Sequence, residues 1–420
     1  MAGFRRALIA VGLALGIGAS PAAAGVVETG PDRLADTTSL GAIIASSADA
    51  PVHILFVHGM RAGDRGASAT FRAGLCARLK DICDVTRPPK AELNHRLSIG
   101  PRPDLTWMGQ PIWPTDAAWS GGGPFVDRYE YPRKGGGAPI VVDEINWWPL
   151  ALPLRCLALL EPEAELAGPD AAGLRVCAAV DGQGNPLDPT IHYPFLSKAD
   201  LARLIATRPK GGGAAAANGF VKRALMDWGL SDAVIALGPM RDYLHDTIDQ
   251  AFAYAEGGSG GAEPAKYVVV AESLGAFIVF DAYAHGKTAV RSVLDDTSYV
   301  YFFANQVALL ELGRLGRPAG PAGVPSAATP AEPSLLGALA DWGAHRVLAA
   351  GAGLPATRQI IAFSDPSDAL TFRVPPIPGV KVVNLYDRNG VDILHIAADP
   401  VAAHTGHAGN PQVLDVMVGR

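Results

Sequence analysis

The sequence predicts an α/β protein built on a mostly parallel central sheet flanked by helices, and three observations carry that prediction. Short runs rich in β-branched and aromatic residues recur along the chain, and segments with helical spacing separate them. One run, KYVVVA, passes straight into a Ser-Leu-Gly turn and a second apolar segment, AFIVFDAYA. Strands apolar along their whole length and alternating with helices belong in a parallel sheet covered on both faces.

Taken in order, residues 52–57 (VHILFV) read as a buried strand stopped by His58-Gly59, and residues 71–79 have helical spacing. Residues 266–271 form the next strand and residues 276–284 a buried helix. Residues 299–304 (YVYFFA), 359–363 (QIIAF) and 381–386 (KVVNLY) give three further strands, with helix-compatible stretches at 305–315 and 335–349. Residues 84–265 carry four glycine-rich stretches and six of the seven tryptophans, and read as a large cap-like insertion. Within it, residues 139–144 (PIVVDE) suit one more sheet strand, and residues 220–255 have helical periodicity. Residues 316–333, mostly Gly, Pro, Ala and Ser, read as a linker.

Composition narrows the functional classes. The 420 residues carry 35 Lys+Arg against 41 Asp+Glu, 49% hydrophobic and 18% charged residues, with a net charge of -6. Such a chain is too apolar for a disordered protein and lacks the basic cluster that nucleic-acid binding needs. Gly (48) and Pro (34) together make up about a fifth of it, which suits irregular segments around an ordered core. Arg5 and Arg6, the apolar stretch 7–19 and Ser20-Pro21-Ala22-Ala23-Ala24 read as a signal peptide spanning 1–24, followed by one domain over 25–420. The stretch is shorter than the roughly 20 residues a membrane helix needs, and no second span is predicted. The expectation is an exported protein, periplasmic or secreted. Cys76 with Cys83 and Cys156 with Cys177 are the simplest disulfide pairs in that compartment.

The chemistry concentrates in three features in one order: the strand ending at His58-Gly59, the turn Ala271-Glu272-Ser273-Leu274-Gly275, and a late Asp followed by a late His. On these the chain resembles the α/β-hydrolase superfamily of serine hydrolases, particularly its lipase and esterase members. The resemblance covers residues 51–79 and 266–420, and Ala271 stands where the family's G-x-S-x-G elbow has its first glycine. It implies an α/β-hydrolase fold, Ser273 as nucleophile, and the chain order Ser, acid, His. A serine hydroxyl needs an imidazole to take its proton, and the imidazole needs a carboxylate to hold its tautomer. Among the later histidines, His285 and His345 read as surface or packing residues and His395 as structural. His404 is favoured as the base over His407. Asp368 is favoured as the acid over Asp365, which doubles as an Asp-Pro turn starter.

The resemblance also implies an oxyanion hole made by the backbone N–H groups of Met60 and Leu274, with Gly59 giving the backbone freedom to aim the first. His58 reads as structural. Asn305 and Gln306 fall on the same sheet edge, where they bind substrate or cap the next helix. A zinc reading of Asp399, His404 and His407 has no H-E-x-x-H context and leaves the Ser273 turn unexplained, so neither metal nor cofactor is expected. These features together predict an exported hydrolase of small-molecule or lipid esters acting through an acyl-enzyme. An acyltransferase on the same triad and a non-catalytic binding protein on the same scaffold are the alternatives.

Overall fold

The computed structural model describes residues 26–30, 32–60, 66–99, 106–107, 110–111, 123–151, 154, 231–238, 240–258, 265–312, 333–345, 357–389, 392–393, 397–398 and 400–420. Nine strands form its main sheet: β1 (Val27–Thr29), β2 (Val52–Val57), β3 (Lys90–Arg96), β4 (Phe125–Tyr131), β5 (Ile140–Asn146), β6 (Lys266–Glu272), β7 (Tyr299–Phe303), β8 (Arg358–Ser364) and β9 (Val380–Tyr386). They lie in the order β1-β9-β8-β7-β6-β2-β5-β4-β3. The strands from β9 through β5 run parallel, while β1 at one edge and the β4–β3 pair at the other are antiparallel. The α/β class and its mostly parallel sheet are as the sequence predicts.

Helices cover both faces, and the period-two alternation of the strands decides which side chain goes where. Val57, Val269, Ala271, Phe302 and Ala362 share one core with α4 (Arg241–Gly257), α5 (Leu274–Ala284), α6 (Thr288–Asp296) and α8 (Leu335–Ala344). Phe56, Val270, Tyr301, Phe303 and Phe363 share the other with α1 (Leu40–Ala45), α2 (Ala69–Arg78) and α10 (Pro411–Val418). α3 (Ser231–Leu237), α7 (Val307–Glu311) and α9 (Pro400–Thr405) are short pieces at element junctions. Arg358, 1% exposed, donates to the carbonyls of Leu294 and Thr297 and so closes the C-terminus of α6 from the start of β8.

The structure departs from the sequence reading in residues 84–265. Three of its segments, β3, β4 and β5, are strands of the main sheet, and α4 packs on α5. β5 is the strand expected at 139–144, whereas β4 hides because Asp127 and Arg128, at most 5% exposed, break the hydrophobic run that marks a strand. Residues 152–230 of the expected cap, apart from Leu154, lie outside the described residues. So do the 1–24 segment, residues 316–332 of the linker, Cys156 and Cys177. The helix expected at 305–315 is seen only as α7, ending at Glu311.

Cys76 and Cys83 are disulfide-bonded, their Cα atoms 5.5 Å apart, which is compatible with an oxidising compartment. Among the described residues no helix is long and apolar enough to cross a membrane.

The sheet packs closely against the start of α5. A Cβ added to Gly275 would stand 2.4 Å from the carbonyl oxygen of Val57 and 2.9 Å from that of His58, both backbone atoms of the neighbouring strand end. Gly275→Ala is expected to cost about 3 kcal/mol by forcing β2 and α5 apart, read as a lowered urea midpoint.

Candidate active site

The C-terminal ends of β6, β2, β7 and β8 converge on Ser273. This serine joins β6 to α5 at φ 52° and ψ -119°, in the left-handed half of backbone space that non-glycine residues avoid. Two backbone features hold it there. The Ser273 N–H donates to the carbonyl of Phe303 on β7 at 2.7 Å, and the strand on the other side comes so close that a Cβ on Gly59 would sit 2.5 Å from the Ser273 Cβ. Gly59 is therefore required for space. Its φ lies outside the left-handed region, so the conformational freedom expected of it is not the reason.

The side chain of Ser273 meets the pair the sequence favours. Ser273 Oγ lies 2.7 Å from His404 Nε2, and His404 Nδ1 lies 2.7 Å from Asp368 Oδ2. His404 sits in the last turn of the short helix α9, where the sequence reading has a loop. Burial is the largest single influence on Asp368 and opposes its ionisation, but several donors act against it. Only together do the bond and charge of His404, the Thr371 hydroxyl and the Leu370 N–H hold the Asp368 carboxyl below the usual range. Ser273 is 1% exposed and Asp368 7%, so the chain of hydrogen bonds is shielded from bulk water.

The residues in second place occupy other posts. Asp365 accepts the N–H of Ser367 at 2.7 Å and that of Asn389 at 2.6 Å, the turn-forming role its Asp-Pro sequence suggests. His407 Nδ1 lies 3.0 Å from Asp387 Oδ2 and its ring stacks on Phe303. His404 and His407 are thus bonded to different carboxylates and do not share a ligand position, while Asp399 and His395 lie outside the described residues. His285 is partly exposed and His345 exposed, as surface residues should be. His58 is fully buried, stacked on Trp147 and placed 2.7 Å from the Gly59 carbonyl, a structural post.

Leu274 is the first residue of α5, so its N–H has no acceptor within the helix. Met60 follows Gly59 at the end of β2. Gln306, three residues past β7, reaches to within 4.0 Å of the Met60 sulfur, so the segments that follow β7 and β2 meet across the end of β6 that carries Ser273. Gln306 makes no side-chain cap on α7, and Asn305 donates to the Phe372 carbonyl at 3.2 Å, tying the segment after Asp368 to the same edge. The capping option for these two residues is therefore not realised.

One contributor has no sequence signature. Glu144 on β5 accepts the N–H groups of Gly66, Ala67 and Ser68 at 2.9–3.0 Å, together with the Ser68 hydroxyl. It fixes the N-terminus of α2 and the far end of the segment that begins at Met60. Only an acid inside an otherwise apolar run could have flagged it.

A second polar cluster, His245, Asp281 and His285, lies on α4 and α5 with ligand atoms close enough for a metal ion. Both carboxylate oxygens of Asp281 are already clasped by Arg241, at 2.6 and 2.7 Å. Burial raises the Asp281 carboxyl, but bonds from His245, His285 and Arg241 hold it well below the usual range. The guanidinium supplies the positive charge that an ion would bring, and the cluster reads as an ion-paired tie between the two helices.

The chain matches no family model, and no curated protein or solved structure shows significant similarity to it.

The sign of the pH dependence follows from Asp368. A carboxyl that titrates lower in the folded than in the unfolded chain stabilises the fold above its unfolded value, near 3.8, and loses that contribution as pH falls through the folded one. Acid unfolding of Asp368→Asn is expected to lack this component, so the stability gap between wild type and variant narrows below about pH 4 in urea titrations.

Proposed function

We propose that this protein is an exported serine hydrolase of the α/β-hydrolase type that cleaves carboxylic esters through an acyl-enzyme. The observation that carries the reading is the unbroken chain Ser273–His404–Asp368, with both links at 2.7 Å and the serine held at positive φ on a strand-to-helix turn. Structural serines seldom need that backbone strain, and buried imidazoles seldom bridge a hydroxyl and a carboxylate by chance.

In the proposed cycle Ser273 Oγ attacks the ester carbonyl while its proton moves to His404 Nε2. Asp368, ionised at neutral pH, accepts the Nδ1–H and stabilises the imidazolium. The new oxyanion lies against the N–H groups of Leu274 and Met60. Collapse of the tetrahedral adduct breaks the carbon–oxygen bond to the alcohol, which leaves with the proton from His404. Water then attacks the acyl-enzyme, gives its proton to His404, and releases the acid with the Ser273 hydroxyl restored. Export is supported by the N-terminal leader-like sequence and the Cys76–Cys83 disulfide.

Labelling with a fluorophosphonate tests this directly. Wild type is expected to be labelled and Ser273→Ala to be blank, with hydrolysis of p-nitrophenyl esters down by at least about 10⁴-fold and Tm nearly unchanged. Near-normal turnover in His404→Ala would move the base to His407. Asp368→Asn is expected to lose about 10⁴-fold and Asp365→Asn no more than about 100-fold, and the reverse ranking would reassign the acid.

A further inference from the structure

We propose that Asn389 is a positioning residue for the His404–Asp368 pair, acting with Asp365 and Asn410 as a clamp between the turn that carries the acid and the turn that carries the base. The inference rests on the acyl-transfer reading in treating His404 as the base.

The clamp can be followed bond by bond. Asp365 shapes the acid turn: its carbonyl accepts the Asp368 N–H at 3.0 Å and one carboxylate oxygen accepts the Ser367 N–H at 2.7 Å. Its other oxygen accepts the Asn389 N–H at 2.6 Å. The Asn389 amide nitrogen lies 3.3 Å from the carbonyl of Ala403, the residue before His404, and 2.9 Å from His407 Nδ1. On its other side, Asn389 Oδ1 accepts from Asn410 at 2.8 Å, and Asn410 also donates to Asp387 at 3.0 Å. Asp387 is tied back to β8 through its N–H on the Ser364 carbonyl. Gly406 completes the fit, since a Cβ there would come 2.5 Å from the Asn389 Cβ.

One residue therefore bonds to both turns, its main chain to the acid side and its side chain to the base side. The path Asp365–Asn389–Ala403 runs alongside the bond from Asp368 to His404 and fixes how far apart the two turns stand. A hydrogen bond at 2.7 Å tolerates little drift, and about 1 Å of misplacement can cost on the order of 100-fold in rate. Asn389 is itself partly exposed, but its partners Asp365, His407 and Asn410, and Asp387 behind them, are at most 9% exposed, so the bonds between them are largely shielded from water.

The test is Asn389→Ala, read in two ways on the full chain. In histidine-¹⁵N-labelled protein, the His404 Nδ1–H resonance, assigned by its loss in His404→Gln, is expected to lose its protection from exchange. The kcat for p-nitrophenyl esters is expected to fall about 10–100-fold with KM within about two-fold, and the same change is expected to cause no further loss in an Asp368→Asn background. An unaltered Nδ1–H resonance, or equal losses in both backgrounds, would overturn the proposal. Should Asn389→Ala fail to fold, Asn410→Ser keeps a helix cap on α10 while removing the donor to Asn389, and the same outcomes apply. A wild type without esterase activity would sink the acyl-transfer reading alone, because the resonance decides the clamp without turnover.

Discussion

Two missing Cβ atoms set the geometry of this molecule. β2 and the β6–α5 turn approach so closely that Gly275 lies under the carbonyls of Val57 and His58, and Gly59 lies against Ser273. That approach lets the serine keep a positive φ, because its main chain is held between the Phe303 carbonyl on one side and the end of β2 on the other. Everything else at the site is referred to this contact. Gln306 and Met60 meet across it, and His404 comes down onto the serine hydroxyl of the buried turn. An alanine is accepted at Ala271 because that residue lies within β6, paired with Val57 and Phe302, one step before the crowding begins.

Buried charge is handled by one rule throughout. Asp368, Glu144, Asp143 and Asp281 are carboxylates at or near zero exposure, and each is surrounded by donors. Asp143 takes His53 and Arg128, Asp281 takes Arg241 and His245, and Glu144 takes a helix N-terminus. Such groups add little net stability, but removing one partner leaves an uncompensated charge, so they fix the relative placement of the elements they join. Asp368 differs in one respect. Its partner His404 is also bonded to a hydroxyl, so the pair has a proton to pass on.

The parallel strands and the Ser273 turn are legible in the sequence because their residues are apolar without interruption, and strand ends there agree with the structure to within a residue or two. The same rule explains what is missed. β3 is polar because it is an edge strand, and β4 buries Asp127 and Arg128, so neither alternation nor an apolar run marks these two. At the site, Ser273, His404 and Asp368 follow from residue type and order. Glu144 and Asn389 do not, because both act through backbone N–H groups and carbonyls, which any sequence possesses. The reason for Gly59 is equally hidden, since space and conformational freedom demand the same residue.

The bond between Ser273 and His404 spans 131 positions of chain, whereas that between His404 and Asp368 spans 36. In chain order the groups that hold Ser273 (Gly59 and the Phe303 carbonyl) are therefore complete about 100 residues before His404. On the acyl-transfer reading we propose, a chain with β2, β6 and α5 assembled but α9 undocked would lack the imidazole and so be inert towards acyl groups. On that reading reactivity would arrive with α9, a single short helix whose Ala403 carbonyl is held by Asn389. Local opening of that helix would switch the serine off while both hydrophobic cores stay closed, so chemical competence reports on the last few contacts of folding.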